Sequence, residues 1–227
     1  MSKMNMIRVF MGVGCVGASS LGSANLLLNA GFEGAGLPNW SNWGTISSYM
    51  NVYNNTGANG FSEPSFNGNF TGVVAQEGDQ FVAGLSGPNG TGFISQTFAA
   101  PLEAGTRYNV SGWLHQAIRT DLNHPSSFAV LLMVSTGDFT GFFNAGTFDP
   151  TVSTTEGWVF RSLEFVAPTN AASYHAITFI TSIVPGQGNA YTGLDNVALE
   201  AVPEPVSATV LAVGSMMLLR RRKSSRG

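Results

Sequence analysis

Between residues 25 and 201 the chain alternates apolar and polar positions in short runs, each bounded by Gly, Asn, Ser, Thr or Pro. A period of two over five to ten residues predicts half-buried β-strands. The runs are Leu26–Leu28, Thr45–Tyr53, Thr71–Ala75, Gln80–Leu85, Gly92–Ala99, Arg107–Gln116, Ser127–Thr136, Trp158–Val166, Tyr174–Ser182 and Tyr191–Glu200. Residues 54–92 are rich in Asn, Gly and Ser and predict long loops around two or three strands. No amphipathic helical pattern occurs before residue 203, so there are no crossover helices for a parallel sheet. The expected fold is all-β, an antiparallel sandwich in one domain over residues 25–201.

Two segments lie outside that pattern. Lys3 and Arg8 precede an apolar run from Val9 to Leu21, and Gly22-Ser23-Ala24 follows. This is the layout of a secretory signal peptide over residues 1–24, cut by signal peptidase after Ala24. A retained N-terminal anchor is the alternative, although the run is short for a bilayer span. The only cysteine, Cys15, lies inside this run, and Gly12-Val13-Gly14 before it lacks the large aliphatic residue of a lipoprotein signal. With the segment removed, neither a disulfide nor a thiolate metal site is available.

At the other end, Val202-Pro203-Glu204-Pro205 leads into an apolar run over Val206–Leu219 and then Arg220-Arg221-Arg222-Lys223. Pro-Glu-Pro, a short apolar helix and a basic stop, in that order, resemble the PEP-CTERM sorting signal. The resemblance implies an exosortase-type membrane protease as partner and removal of the tail, residues 202–227. The mature product would reside at the cell surface or in extracellular matrix. The physical chemistry agrees. The prolines end any upstream strand, the run spans a membrane only marginally, and the arginines hold the C-terminus on the cytoplasmic side. Permanent anchoring is the alternative.

Charge narrows the partners. Charged residues make up only 10% of the chain. Between residues 25 and 202, three arginines face twelve carboxylates, a formal −9 that repels a phosphate backbone and argues against nucleic acid.

Within the domain, Asn25-Leu-Leu-Leu-Asn-Ala-Gly-Phe-Glu33 with Trp40 and Trp43 resembles the opening strand of jelly-roll carbohydrate-binding modules. Tyr108-Asn-Val-Ser-Gly-Trp113, the segment from Trp158 to Ala167-Pro168, and Gly193-Leu-Asp195-Asn196-Val197-Ala-Leu199 resemble their later strands, in the same order. The resemblance implies a galactose-binding-like jelly-roll β-sandwich. It also implies a structural Ca²⁺ held by Glu33 and Asp195 between the first and last strands. Strand parity places Asp195 with Val197, Leu199 and Ala201, facing the core, where a carboxylate needs a partner. Backbone N–H groups of a turn are the alternative partner.

Along Arg107–Gln116 the alternation assigns Tyr108, Val110, Gly112 and Leu114 to the core. Asn109, Ser111, Trp113 and His115 fall on the other face. One flat indole among amides and hydroxyls is the mix that holds a sugar, so these four are the candidate carbohydrate site. Trp113 as a cap under a loop is the alternative. Trp40, Trp43, Tyr49 and Tyr53 serve either as sugar platforms or as pins for a long loop.

His115, His124 and His175 have no metal-ligand spacing. There is no G-x-S-x-G elbow, H-E-x-x-H helix or phosphate-binding glycine loop. The expectation is an exported, non-catalytic surface or matrix protein that binds carbohydrate weakly. A purely structural matrix domain is the alternative, and an enzyme is the less favoured third.

Overall fold

The computed structural model describes residues 24–34, 39–40, 49–54, 70, 72–87, 90–98, 100–118, 124–134, 141–150 and 157–203. Its strands are β1 (Met50–Asn54), β2 (Gln80–Gly87), β3 (Gly90–Thr91), β4 (Phe93–Thr97), β5 (Arg107–Gln116), β6 (Ser126–Met133), β7 (Phe142–Thr147), β8 (Val159–Val166), β9 (Ala176–Ile183) and β10 (Ala190–Ala201). One sheet runs β1-β2-β10-β5-β8, with β3 also beside β2, and the other runs β4-β9-β6-β7. Every neighbouring pair is antiparallel. Most successive long strands cross between the sheets, and β2 lies beside the last strand, β10. That winding is a jelly roll.

The core between the sheets follows the alternation. Tyr108, Val110 and Leu114 of β5 pack with Leu194, Val197 and Leu199 of β10 against Phe128, Val130 and Leu132 of β6 and Ile177 and Phe179 of β9. Two expected strands are absent. Val73 and Ala75 belong to an irregular segment, and Leu26–Leu28 divides its hydrogen bonds between the sheets. Leu26 N–H donates to Leu199 O (2.9 Å), while Leu28 exchanges bonds of 2.7 Å with the Gln96 amide on the opposite sheet. Strand β7 was not expected, because its short run is interrupted by Asn144 and Gly146.

The following turn is pinned by Asn29. Its Oδ1 accepts from Glu33 N–H and its Nδ2 donates to Glu33 O, both at 2.8 Å. Phe32 sits at φ 58°, a conformation that costs a bulky residue about 1–3 kcal/mol. In return its ring is fully buried, 4.8 Å from Trp40, and Glu33 turns the other way, out of the core.

Strand β10 ends at Ala201, Val202 N–H still donates to Arg107 O (2.8 Å), and Pro203 is exposed. Residues 1–23, Trp43, Glu204, Pro205 and the run through Arg220, Arg221 and Arg222 lie outside the described residues. Among the described residues, no helix is long and apolar enough to cross a membrane.

Candidate functional site

The β1-β2-β10-β5-β8 sheet has a second face, turned away from the core. Asn109, Ser111, Trp113 and His115 point to it from β5, in line with the alternation. Register sets their neighbours: Phe160, Ser162 and Glu164 of β8 stand opposite Trp113, Ser111 and Asn109, and Asp195, Ala198 and Glu200 of β10 flank the same three on the other side.

That register corrects one expectation. Asp195 does not share a face with Val197 and Leu199. Between Asp195 and Ala198 the pairing slips by one residue. The extra residue is Asn196, in the left-handed region at φ 44°. A bulge reverses the parity of everything beyond it, so Asp195 points outward while Val197 returns to the core. Asp195 nevertheless has no exposed surface.

It is covered by residues 72–79, here called the strap. Asp195 Oδ2 accepts from Gln76 N–H (2.8 Å) and Glu77 N–H (3.1 Å), and Oδ1 accepts from Asn196 N–H (2.7 Å). Glu33 holds the strap's C-terminal end, with Oε1 accepting from Asp79 N–H (2.9 Å) and Gln80 N–H (3.0 Å). Gly78 is required there, since at φ 66° an added Cβ would lie 2.2 Å from Glu33 Oε1. The middle is tied down by Trp158, whose Nε1–H donates to Val74 O (2.7 Å).

Beneath the strap lies an aromatic cluster of Tyr53, Phe70, Phe81, Tyr191 and Trp158. His115 belongs to this cluster and not to the open face. It is 6% exposed, with Trp158 5.2 Å and Phe70 6.1 Å away between ring centres, and its Nδ1 is 2.7 Å from Gln116 O. Burial pulls its pKa down. Tyr53 and Trp40 are pins: Tyr53 stacks on Phe81 at 5.3 Å, and Trp40 donates Nε1–H to Asn29 O (2.8 Å). Tyr49 is half-buried against the same cluster.

Trp113 stands just outside the covered region, half-buried and edge-on to Phe160 at 5.4 Å, which is 49% exposed. Its indole N–H has no protein acceptor among the described residues, unlike those of Trp40 and Trp158. Ser111, beside it on β5, is 7% exposed, and its hydroxyl likewise has no protein partner there. Asn109 is half-buried. Sequence reasoning missed Phe160 and Trp158. Phe160 follows from the β5–β8 register, and no local pattern marks Trp158 as the cover.

Glu33 and Asp195 are brought together. A Cβ on Gly31 would lie 3.8 Å from Glu33 Cγ and 4.0 Å from Asp195 Oδ1. No third His, Cys, Asp or Glu side chain joins them among the described residues. Glu33 Oε2 takes no N–H bond there and Asp195 Oδ1 takes one, so each keeps lone pairs for a cation that prefers oxygen. Burial pushes the Asp195 pKa up to about 7, against the pull of three N–H donors and with a further push from Glu33.

The sequence matches no known family model and no curated protein. The fold has relatives among solved structures. A cyclase from Fischerella sp. TAU superposes with a TM-score of 0.55 at 14% identity, covering 81% of this chain and 100% of that one. The Stig cyclase Fisc from the same source, in complex with (3Z)-3-(1-methyl-2-pyrrolidinylidene)-3H-indole, gives 0.54 at 14% identity, covering 80% and 98%. The CBM22-2 xylan-binding domain of Xyn10C from Paenibacillus barcinonensis gives 0.50 at 13% identity, covering 76% and 98%. The likeness is one of fold, an all-β jelly-roll sandwich. Because both cyclases and a binding module share it, function has to be argued from the residues of the site.

Asp195 makes a pH prediction. With its pKa raised, the folded protein holds a proton that the unfolded chain releases above pH 4. The associated stability is complete below pH 4 and is lost as pH rises through 7, by on the order of 4 kcal/mol. His115, with its pKa lowered, works in the opposite sense and loses stability as pH falls below 6.5. Urea unfolding in chelator between pH 4 and 8 should show the Asp195 loss in the native protein. Asp195→Asn should flatten that component, leaving the His115 slope.

Proposed function

We propose that this is an exported, non-catalytic surface or matrix protein whose sandwich binds carbohydrate through Trp113, Ser111 and Asn109. One observation carries the binding half. Among the described tryptophans only Trp113 has an indole N–H without a protein acceptor, and it stands half-open beside Phe160 and the unpartnered Ser111 hydroxyl. An aromatic surface with unspent donors and acceptors is what a sugar ring needs, since its faces are apolar and its rim is hydroxyl. The xylan-binding neighbour lends support at the level of fold. Catalysis has less: Asp195, opposite Trp113 in register, has no exposed surface from which to reach a substrate.

Purified domain should be retained by at least one of soluble xylan, galactan, mannan or β-glucan in affinity electrophoresis. Trp113→Ala, checked for folding by circular dichroism, should reduce that retention at least tenfold. Retention by none of these polymers would move the function to the purely structural alternative, which the aromatic filling around His115 favours for that half of the face, and retention unchanged by Trp113→Ala would move the sugar site away from Trp113.

Glu33 and Asp195 form the proposed calcium site, with Ca²⁺ supplying the positive charge that two adjacent, partly buried carboxylates lack. Millimolar Ca²⁺ should raise the melting temperature of the native protein by several degrees over chelator, and Asp195→Asn should remove the rise.

The sorting half rests on the two termini. Signal peptidase would act after Ala24 and an exosortase-type protease near Pro203-Glu204-Pro205, with Arg220–Arg222 as the stop. Mass spectrometry of protein from native cells and medium should find a product from Asn25 to the Pro203–Pro205 region. A membrane-bound product that still carries Arg220 would instead establish permanent anchoring.

A further inference from the structure

Trp113 does not lie in the middle of an open strip. One register step along the sheet, the Gly193–His115 row is closed. A Cβ on Gly193 would lie 3.3 Å from Trp158 and 3.4 Å from Phe70, and His115 is buried beneath those same two rings. One strand across, Asp195 is closed as well, because the Gln76 and Glu77 N–H groups sit on its carboxylate. Trp113 therefore has covered surface on two adjoining sides, one along the strand and one across it. Among the described residues its remaining sides face Phe160 on β8, which is 49% exposed, and Ser111 and half-buried Asn109 on β5.

The geometry points to recognition of the terminal sugar of a glycan chain, the end residue packing into the corner at Trp113 and the next residues leaving over Ser111 and Asn109. This rests on the carbohydrate reading above. A chain running straight through the site would have to continue past Trp113 along the strand or across it. Along β5 it meets Trp158 and Phe70, which are tied into the cluster by the Trp158–Val74 bond and the Phe70–Phe81 contact at 5.5 Å. Across β10 it meets the strap, whose C-terminal half is fixed by carboxylate–N–H bonds. The first wall yields only by breaking the Trp158–Val74 bond and the ring contacts around it, and the second only by breaking the carboxylate–N–H bonds of the strap. Among the described residues the Trp113 N–H and the Ser111 hydroxyl have no protein partner, so both are available to the hydroxyls of an end ring.

The test is stoichiometry. Linear β-1,4-xylan, β-1,4-galactan, β-1,4-mannan and β-1,3-glucan are each fractionated into short, medium and long chains, end-group content is assayed, and each fraction is titrated calorimetrically into the native protein. The expected result, for whichever polymer binds, is one protein per chain at every length, with short oligosaccharides competing as well as long chains on a molar basis. Trp113→Ala should abolish the heat at every length. Proteins bound per chain rising in proportion to chain length would overturn chain-end recognition while leaving carbohydrate binding at Trp113 intact. No heat with any of the four polymers would overturn both.

Discussion

A carboxylate taken out of water must find donors, and on this sheet the donors come from one strap. Asp195 and Glu33 together accept four N–H bonds from Gln76, Glu77, Asp79 and Gln80, a stretch with no ladder partner until β2 begins at Gln80. The dependence is mutual. Without the carboxylates, the strap's N–H groups would have only solvent to hold them, and the aromatic cluster beneath would lose its cover. Without the strap, Asp195 would be solvated and its pKa would have no reason to rise. A second negative charge close by makes the arrangement costly at neutral pH. That cost is the physical argument for a cation and for the acid-side stability of the chelated protein.

Two backbone irregularities make this possible. The left-handed Phe32 sends its own ring into the core and Glu33 toward the strap. The left-handed Asn196 inserts a bulge that turns Asp195 to the same side. Both residues sit in segments that are hydrogen-bonded to each other, through Asn25 to Val197 and Leu199 and through Ala30 O to Val197 N–H. The first segment of the domain and its last strand are thus locked in register, and the carboxylates inherit their placement from that lock. The strained φ values cost energy locally and are held by tertiary contacts on either side.

Much of the fold was legible because β5, β8 and β9 keep a period of two, and the split of β5 into Tyr108, Val110 and Leu114 against Asn109, Ser111, Trp113 and His115 holds residue by residue. Three features were not legible. The parity of Asp195 was misassigned because a bulge is a one-residue event, and an Asp-Asn pair inside a strand does not announce which residue is extra. The strap looked like a strand because Val73 and Ala75 are apolar at alternate positions. Their burial is real, but it is against the outward aromatic cluster and not the core. His115 looked like a site residue because it shares a face with Trp113. Its burial depends on Phe70 and Trp158, each more than forty residues away in sequence and beyond the reach of any local pattern.

The outward face therefore divides between two uses of the same chemistry. Around His115 the aromatic rings satisfy one another and spend their polar atoms on the backbone, as Trp158 does on Val74 O. Around Trp113 they do not: among the described residues the indole N–H and the Ser111 hydroxyl have no protein partner. Neither atom is buried away from water, so both can exchange a water for a ligand hydroxyl without first breaking a protein hydrogen bond. The division falls at the edge of the strap, so the interaction that buries Asp195 also decides where the open half begins. That coincidence gives the corner at Trp113 its two closed sides, and it ties any ligand held there to the integrity of the carboxylate–strap contacts.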